Sequence, residues 1–311
     1  MRRAVIPVLL ALAATACSHT ARGPAAPASQ EELSGAAAIT QAAVRAAAIE
    51  FVRAYAATAR SGRELARPLV AGPVLRDWVH WVAVQQAELQ GSTASHADVG
   101  AVGPARPVDL PGLGAGGELV REVDLVAGID LRVSPDEGDP FSYFRALDGP
   151  MRLVSDEAGR WRVTDFTRDG LPLSAVFQVL EDVGIEDGSG VAVAVDSFVA
   201  LPTWQFDLRV SAEDGPAISL TSAGATIVDR SGRSIAVARD VTSSLSTIGA
   251  GETVEGIVTF GALPTADGVL LRLRFTRTGG TGARRRVLEL PLARAIRPIA
   301  IAQASPPPAP V

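Results

Sequence analysis

From Val191 onward the chain is written with a period of two. Val191, Val193 and Val195 alternate with smaller or polar residues, as do Trp204, Phe206, Leu208 and Val210, and again Val269, Leu271, Leu273 and Phe275. That period sets one face of a strand on a core and the other toward solvent, and an α-helix does not satisfy it. Ala217 to Thr221, Thr226 to Asp229, Ser234 to Arg239, Thr253 to Phe260 and Val287 to Leu292 are further strand candidates. Glu213-Asp214-Gly215-Pro216, Asp229-Arg230-Ser231-Gly232 and Asp267-Gly268 supply turns between them. About seven to nine short strands at this spacing predict an all-β sandwich over residues 191–296.

Residues 35–170 follow another pattern. Ser29-Gln30-Glu31-Glu32 has capping-box spacing, so a helix is expected to begin there. Val44, Ala48, Phe51, Val52 and Tyr55 fall on one helical face, with Arg45, Arg53 and Arg60 off it, and Gly62 marks the end. Pro73 suits the first position of a second helix, whose stripe is Val74, Trp78, Trp81, Val82, Gln85 and Leu89. Ser92 to Gly117 reads as mostly turn-forming. The period then shifts: Val123, Leu125, Ala127, Ile129, Leu131 and Val133 alternate with Glu122, Asp124, Gly128, Asp130 and Arg132, a half-buried strand. Ser142 to Glu157 and Arg160 to Asp169 read as two more. Helices followed by a curved antiparallel sheet predict an α+β domain. The acidic and glycine breaks late in 171–190 mark a linker between the two modules.

The N-terminus sets the compartment. Arg2 and Arg3 form a short positive region, and Ala4 to Ala16 is almost wholly apolar, broken only by Pro7 and Thr15. A membrane-crossing helix needs about 20 apolar residues, so this run has the length of a signal-peptide core. Residues 1–17 end at Cys17, the single cysteine. Residues 18–34, rich in Ala, Pro, Ser and Gly, read as a flexible tether, and 297–311 as a Pro/Ala-rich disordered tail.

With these residues in view, three resemblances can be stated. Residues 1–17 resemble a bacterial lipoprotein signal sequence, whose terminal cysteine is acylated and becomes the mature N-terminus; Ala14 stands where that family usually has Leu. Ala14-Thr15-Ala16 also reads as an A-x-A site for ordinary signal peptidase. Gly159-Arg160-Trp161-Arg162-Val163-Thr164-Asp165-Phe166 resembles a late strand of an NTF2-like (cystatin-like) domain, which implies a cone of helices packed on a curved sheet over about residues 35–170. Gly251 to Phe260, with Pro264 after it, resembles extracytoplasmic immunoglobulin-like domains of the DUF4352 type, which carry no active site in that motif.

Composition removes several chemistries. The formal net charge is −5, without a basic footprint for nucleic acid. All 29 lysine-plus-arginine positions are arginine, which removes the P-loop lysine, the pyridoxal Schiff base and the Ser-x-x-Lys nucleophile. A lone cysteine closes no intrachain disulfide, and three histidines do not make a His-rich metal site. No cofactor or metal is expected.

The remaining candidates are few. Asp77 and His80 stand three apart on a helix and can touch, the arrangement of an oriented general base, although a solvated pair has the same spacing. Tyr55, Trp78, Trp81, Trp161 and Asp165 are candidates for the mouth of a cone, or for plain core packing. The expectation is a lipid-anchored, extracytoplasmic cell-envelope protein, non-enzymatic, attached to the membrane through Cys17, that binds or positions another envelope protein. A small-ligand carrier or enzyme with a pocket in the first module, and a structural spacer, stand as alternatives.

Overall fold

The stripe Val44, Ala48, Phe51, Val52 and Tyr55 forms one face of helix α1 (Gln30–Ser61), and all five side chains are fully buried. Arg45, Arg53 and Arg60, off that stripe, are exposed. Gly62 ends the helix with φ 64° while its amide still bonds the Thr58 carbonyl. A 3-10 turn, Arg67–Leu69, leads to helix α2 (Pro73–Ala87), which starts on a proline whose fixed φ suits a first turn. The structure is a computed structural model that describes residues 30–88, 91–108, 119–136, 139–188, 190–201, 203–213, 217–261, 270–277 and 285–292. Residues 1–17, read above as a signal sequence ending at Cys17, most of the expected tether 18–34 and the tail 297–311 lie outside the described residues. By backbone contacts the chain divides into residues 1–39 and 40–311.

After α2 come β1 (Gly91–Val102), β2 (Arg106–Pro107), β3 (Val120–Pro135), β4 (Phe141–Ala146), β5 (Gly149–Ser155), β6 (Trp161–Arg168) and β7 (Leu171–Pro172), all in one antiparallel sheet. Strand β3 has 16 residues and organises it. One edge pairs with β1, from Gly91↔Pro135 to Val102↔Leu125, and then with β2. The other edge carries two strands end to end: β5 along Val120–Leu125 and β4 along Gly128–Val133. Between β4 and β5 the chain turns a corner. Leu147 donates to the Ala127 carbonyl (2.8 Å), and Asp148 Oδ1 accepts the Ala127 amide (3.0 Å). Gly149 closes the corner with φ 132°, where a Cβ would lie 2.9 Å from the side chain of Thr167.

The chain continues through α3 (Leu173–Val176), β8 (Phe177–Val179), β9 (Gly184–Asp187), β10 (Val191–Leu201), β11 (Thr203–Ala212), β12 (Ile218–Ser219), β13 (Ala225–Val228), β14 (Ser234–Val237), β15 (Asp240–Val241), α4 (Ser243–Ser246), β16 (Thr253–Phe260), β17 (Leu270–Arg277) and β18 (Arg285–Pro291). A second sheet runs β15-β16-β11-β10-β8, with β9 also on β10; a third runs β12-β17-β13-β14, with β18 on β17. Phe198, Phe206, Leu208 and Phe260 of the second sheet meet Ile227, Leu271, Leu273 and Phe275 of the third in one core.

The expected α+β cone is not what forms. Among the described residues strands hold 52% and helices 24%, so the fold is mainly β, and the first half is not an NTF2-like cone. The first reason is β1. Gly91 to Val102 is built of small and polar residues and reads as turn, yet β3 offers it a long row of free backbone groups, and pairing overrides weak propensity. The second is 171–187, which carries β7, α3, β8 and β9; β8 and β9 both add to β10. The second sheet is in turn covered on both faces. Val199 and Ile257, on its far side from the sandwich core, join the core built around α1 and α2.

Replacing Gly149 with Ala should cost about 2–3 kcal/mol in urea unfolding, because a positive φ and a close contact act together. Gly159→Ala, at φ 73° with nothing within 4 Å of the new methyl, should cost only about 1 kcal/mol. Equal costs would show that the corner against Thr167 is not tight.

Candidate functional site

Helix α2 carries two kinds of surface. Leu75, Trp78, Val79, Trp81 and Val82 are buried. Asp77 and His80, three apart, are half-buried on a side that meets the second sheet. His80 Nδ1 lies 2.7 Å from Glu64 Oε1, just before the 3-10 turn, and Nε2 lies 3.0 Å from Glu255 Oε2 on β16. A carboxylate can only accept, so both ring nitrogens carry protons when both contacts are made, and the ring is then an imidazolium. Burial works against that charge, but the bonds to Glu64 and Glu255 outweigh it and raise the His80 pKa above its ordinary value. Burial likewise pushes Glu64 up, and its bonds to His80 and Arg67 turn the net shift downward.

Strands β10 and β11 build the opposite wall. Along β11, Trp204, Phe206, Leu208 and Val210 enter the sandwich core, so Gln205, Asp207 and Arg209 face the other way. Along β10 the alternation slips at a bulge between Val195 and Ser197. Val195 and Phe198 both reach the sandwich core, leaving Asp196 and Ser197 together on the outer side. Ser197 then stands directly across from Asp207. Both are enclosed, at 2% and 3% exposure. Ser197 Oγ and Asp207 Oδ1 find no hydrogen-bond partner among the described residues. Each such vacancy costs about 1–3 kcal/mol, so a folded protein that keeps two of them together invites an explanation.

These groups surround a cavity of about 310 Å³. Asp77, Asp196, Asp207 and Glu255 supply carboxylates, Arg67 and Arg209 supply cations, and Val179 and Leu180 supply an apolar side. Arg209 is committed to Asp196 (2.9 Å) and Arg67 to Glu64. Burial raises the pKa of Asp77 and of Asp196. It pushes Asp207 up to about 7, because the attraction of His80 and Arg209 does not offset desolvation and the repulsion of Asp196 and Glu255. Among the described residues no group of three or more His, Cys, Asp or Glu side chains is placed to hold a metal ion.

A larger cleft of about 690 Å³ lies on the other side of α2. Phe141, Tyr143 and Arg145 of β4 form one wall, with the two rings stacked at 6.3 Å and the Arg145 guanidinium 5.0 Å over Tyr143. Gln85 and Gln86 of α2 form the floor; Gln205 and Thr259 of the second sheet face β4. Gln85 donates to Gln205 (3.4 Å), and Glu88 accepts from Ser243 (2.7 Å), tying the end of α2 to the sandwich.

The residues singled out from the sequence are placed as follows. Asp77 and His80 face the smaller cavity, but His80 bonds Glu64 and Glu255. Tyr55, Trp78 and Trp81 are buried in the core, Trp78 stacked on Trp81 at 4.6 Å and donating to the Tyr55 hydroxyl (3.1 Å). Trp161 is half-buried against the same core. Asp165 is buried and accepts from the amides of Phe166 and Ser174 and the Ser174 hydroxyl (2.6 Å), a structural clasp between β6 and α3. Tyr55, Trp78, Trp81, Trp161 and Asp165 line neither cavity. Glu64, Asp196, Ser197, Asp207 and Glu255 went unnoticed in the sequence; the visible signal was the paired polar break Asp196-Ser197 inside an apolar strand. Compared with protein-family models and with curated proteins, the chain matches none.

The titrations fix a sign. Folded Asp207 keeps a proton that the unfolded chain releases above its ordinary pKa, so stability falls as pH rises toward about 7. Asp77 and Asp196 act in the same direction. The support from imidazolium His80 is complete below its unfolded pKa and is lost as pH rises through the raised folded one. Glu64 acts oppositely, but only below its ordinary value. Thermal unfolding should therefore show Tm falling between about pH 5 and pH 8, and Asp207→Asn should raise Tm at about pH 8 by about 3 °C or more. A wild-type Tm that climbs across this range would contradict the assignment.

Proposed function

We propose that this is a lipid-anchored, extracytoplasmic cell-envelope protein that binds another envelope component without catalysing a reaction on it, and that the cleft beside β4 is the binding surface. The observation that carries the reading is the wall of that cleft. Phe141 remains 47% exposed beside Tyr143, on a strand that pairs with β3 alone among the described residues. Exposed aromatic rings next to an open cleft mark interaction sites more often than they mark idle surface. The amides of Gln85, Gln86 and Gln205 and the hydroxyl of Thr259 add neutral hydrogen-bonding groups suited to orienting a partner. A binding role also suits His80, whose two nitrogens are both engaged by carboxylates and leave no lone pair to accept a substrate proton.

The anchor part rests on Arg2-Arg3, the apolar run to Ala16, and Cys17. Among the described residues no helix is long and apolar enough to cross a membrane. Two or more acyl chains on one cysteine hold a protein stably to a bilayer.

In intact cells, a photo-crosslinking side chain at position 143 should give one dominant adduct in the membrane fraction. Gln85→Ala combined with Gln205→Ala, across the cleft, should remove it, and Cys17→Ser should move the chain to the soluble fraction. An adduct indifferent to the glutamine changes would dismiss the cleft, and a Cys17→Ser form still bound to membrane would dismiss the anchor.

A further inference from the structure

We propose that the smaller cavity, between α2 and strands β10 and β11, binds an aliphatic ammonium group. It is a different cavity from the cleft and does not depend on that reading.

The cavity holds buried acceptors that no donor meets. Ser197 and Asp207 stand opposite each other across the bulged strand pair, and Ser197 Oγ and Asp207 Oδ1 are enclosed and without partners among the described residues. Asp77 comes from the helix opposite and lines the same space. All three present acceptor oxygens. The nearby cations are spent, Arg209 on Asp196 and Arg67 on Glu64, and His80 on Glu64 and Glu255. What is missing is a compact positive group with several N–H donors.

An alkylammonium carries three donors on one atom and a full charge. Three oxygens arriving from β10, β11 and α2 suit a group that spreads its donors in space. A guanidinium directs its donors in one plane and is best met by a carboxylate fork. An anion would meet the lining carboxylates. Val179 and Leu180 give the methylene stem an apolar wall. The volume of about 310 Å³ admits a chain of a few carbons. The ammonium has to come from outside, because this sequence contains no lysine. Its source is either a free diamine or the lysine side chain of another polypeptide, and the experiment separates them.

The test is calorimetric titration of the whole exported chain, bearing Cys17→Ser to keep it soluble. The probes are 1,5-diaminopentane, Nα-acetyl-lysine amide and, as the planar control, a pentyl-guanidinium. At about pH 8 the two ammonium probes should bind saturably below about 10 mM. Binding of diaminopentane alone assigns the site to free amines; binding of both, to lysine side chains as well. At about pH 5.5 affinity should fall by about tenfold or more, as Asp207, whose carboxyl is pushed up to about 7, takes up a proton and His80 stays charged between Glu64 and Glu255. Asp207→Asn and Ser197→Ala should each weaken binding about tenfold at about pH 8. Both variants are first checked for a wild-type circular dichroism spectrum and a cooperative melt. If one misfolds, Asp77→Asn, on the half-exposed helix side, replaces it with the same expectation. No saturable binding, binding unchanged in the variants, or guanidinium binding as tight as ammonium would overturn the proposal.

Discussion

The structure depends on how α2 is covered. This helix buries Trp78 and Trp81, and along its seam with the outer face of the second sheet it sets Asp77 and His80 on one flank and Gln85 on the other. That outer face is not water-facing as its alternation implies. It contributes Val199 and Ile257 to the core around α2 and sets Asp207, Ser197 and Glu255 against the helix. Apolar contacts close the seam, and charge decides its fine structure. The seam encloses more carboxylates than cations, and protons or His80 make up the difference.

The two cavities follow from the same seam. A sheet face that is polar at alternate positions cannot pack flush on a helix, so space is left where side chains carry charge or amide groups. On one flank the amides of Gln85, Gln86 and Gln205 line the space, which opens onto the aromatic wall of β4, with Arg145, Glu88 and Asp240 at its lining. On the other the groups are acidic and enclosed. The contrast is what separates the two proposed ligands, a large partner in one and a small cation in the other. It also explains why His80 is poor as a base: the position that gives it two carboxylate partners takes away its lone pair.

Much of the local structure was legible. The Val44–Tyr55 stripe, Pro73 as a helix start and the Val123–Val133 alternation are all statements about neighbours in sequence, and each has its element. What was not legible depends on distant partners. Gly91–Val102 has no strand character of its own and becomes a strand because β3 is long enough to hold it along one edge. The break at Leu147–Gly149 splits one expected strand into β4 and β5 for the same reason, since β3 can carry both. These two additions turn an expected cone into a mainly β fold. In the site, Asp77 and His80 were visible because helix spacing places them together. Asp207 was not, because an acidic residue on the polar side of an alternating strand normally meets water; only the arrival of α2 buries it.

The most direct measurement is the NMR titration of the His80 ring, in the wild type and in Glu255→Gln, at low salt. If α2 and the second sheet are joined through an imidazolium held between Glu64 and Glu255, the wild-type ring titrates above the ordinary histidine value of about 6.5, and Glu255→Gln lowers it. A ring that titrates at or below that value in the wild type, or that ignores the loss of Glu255, would contradict the account.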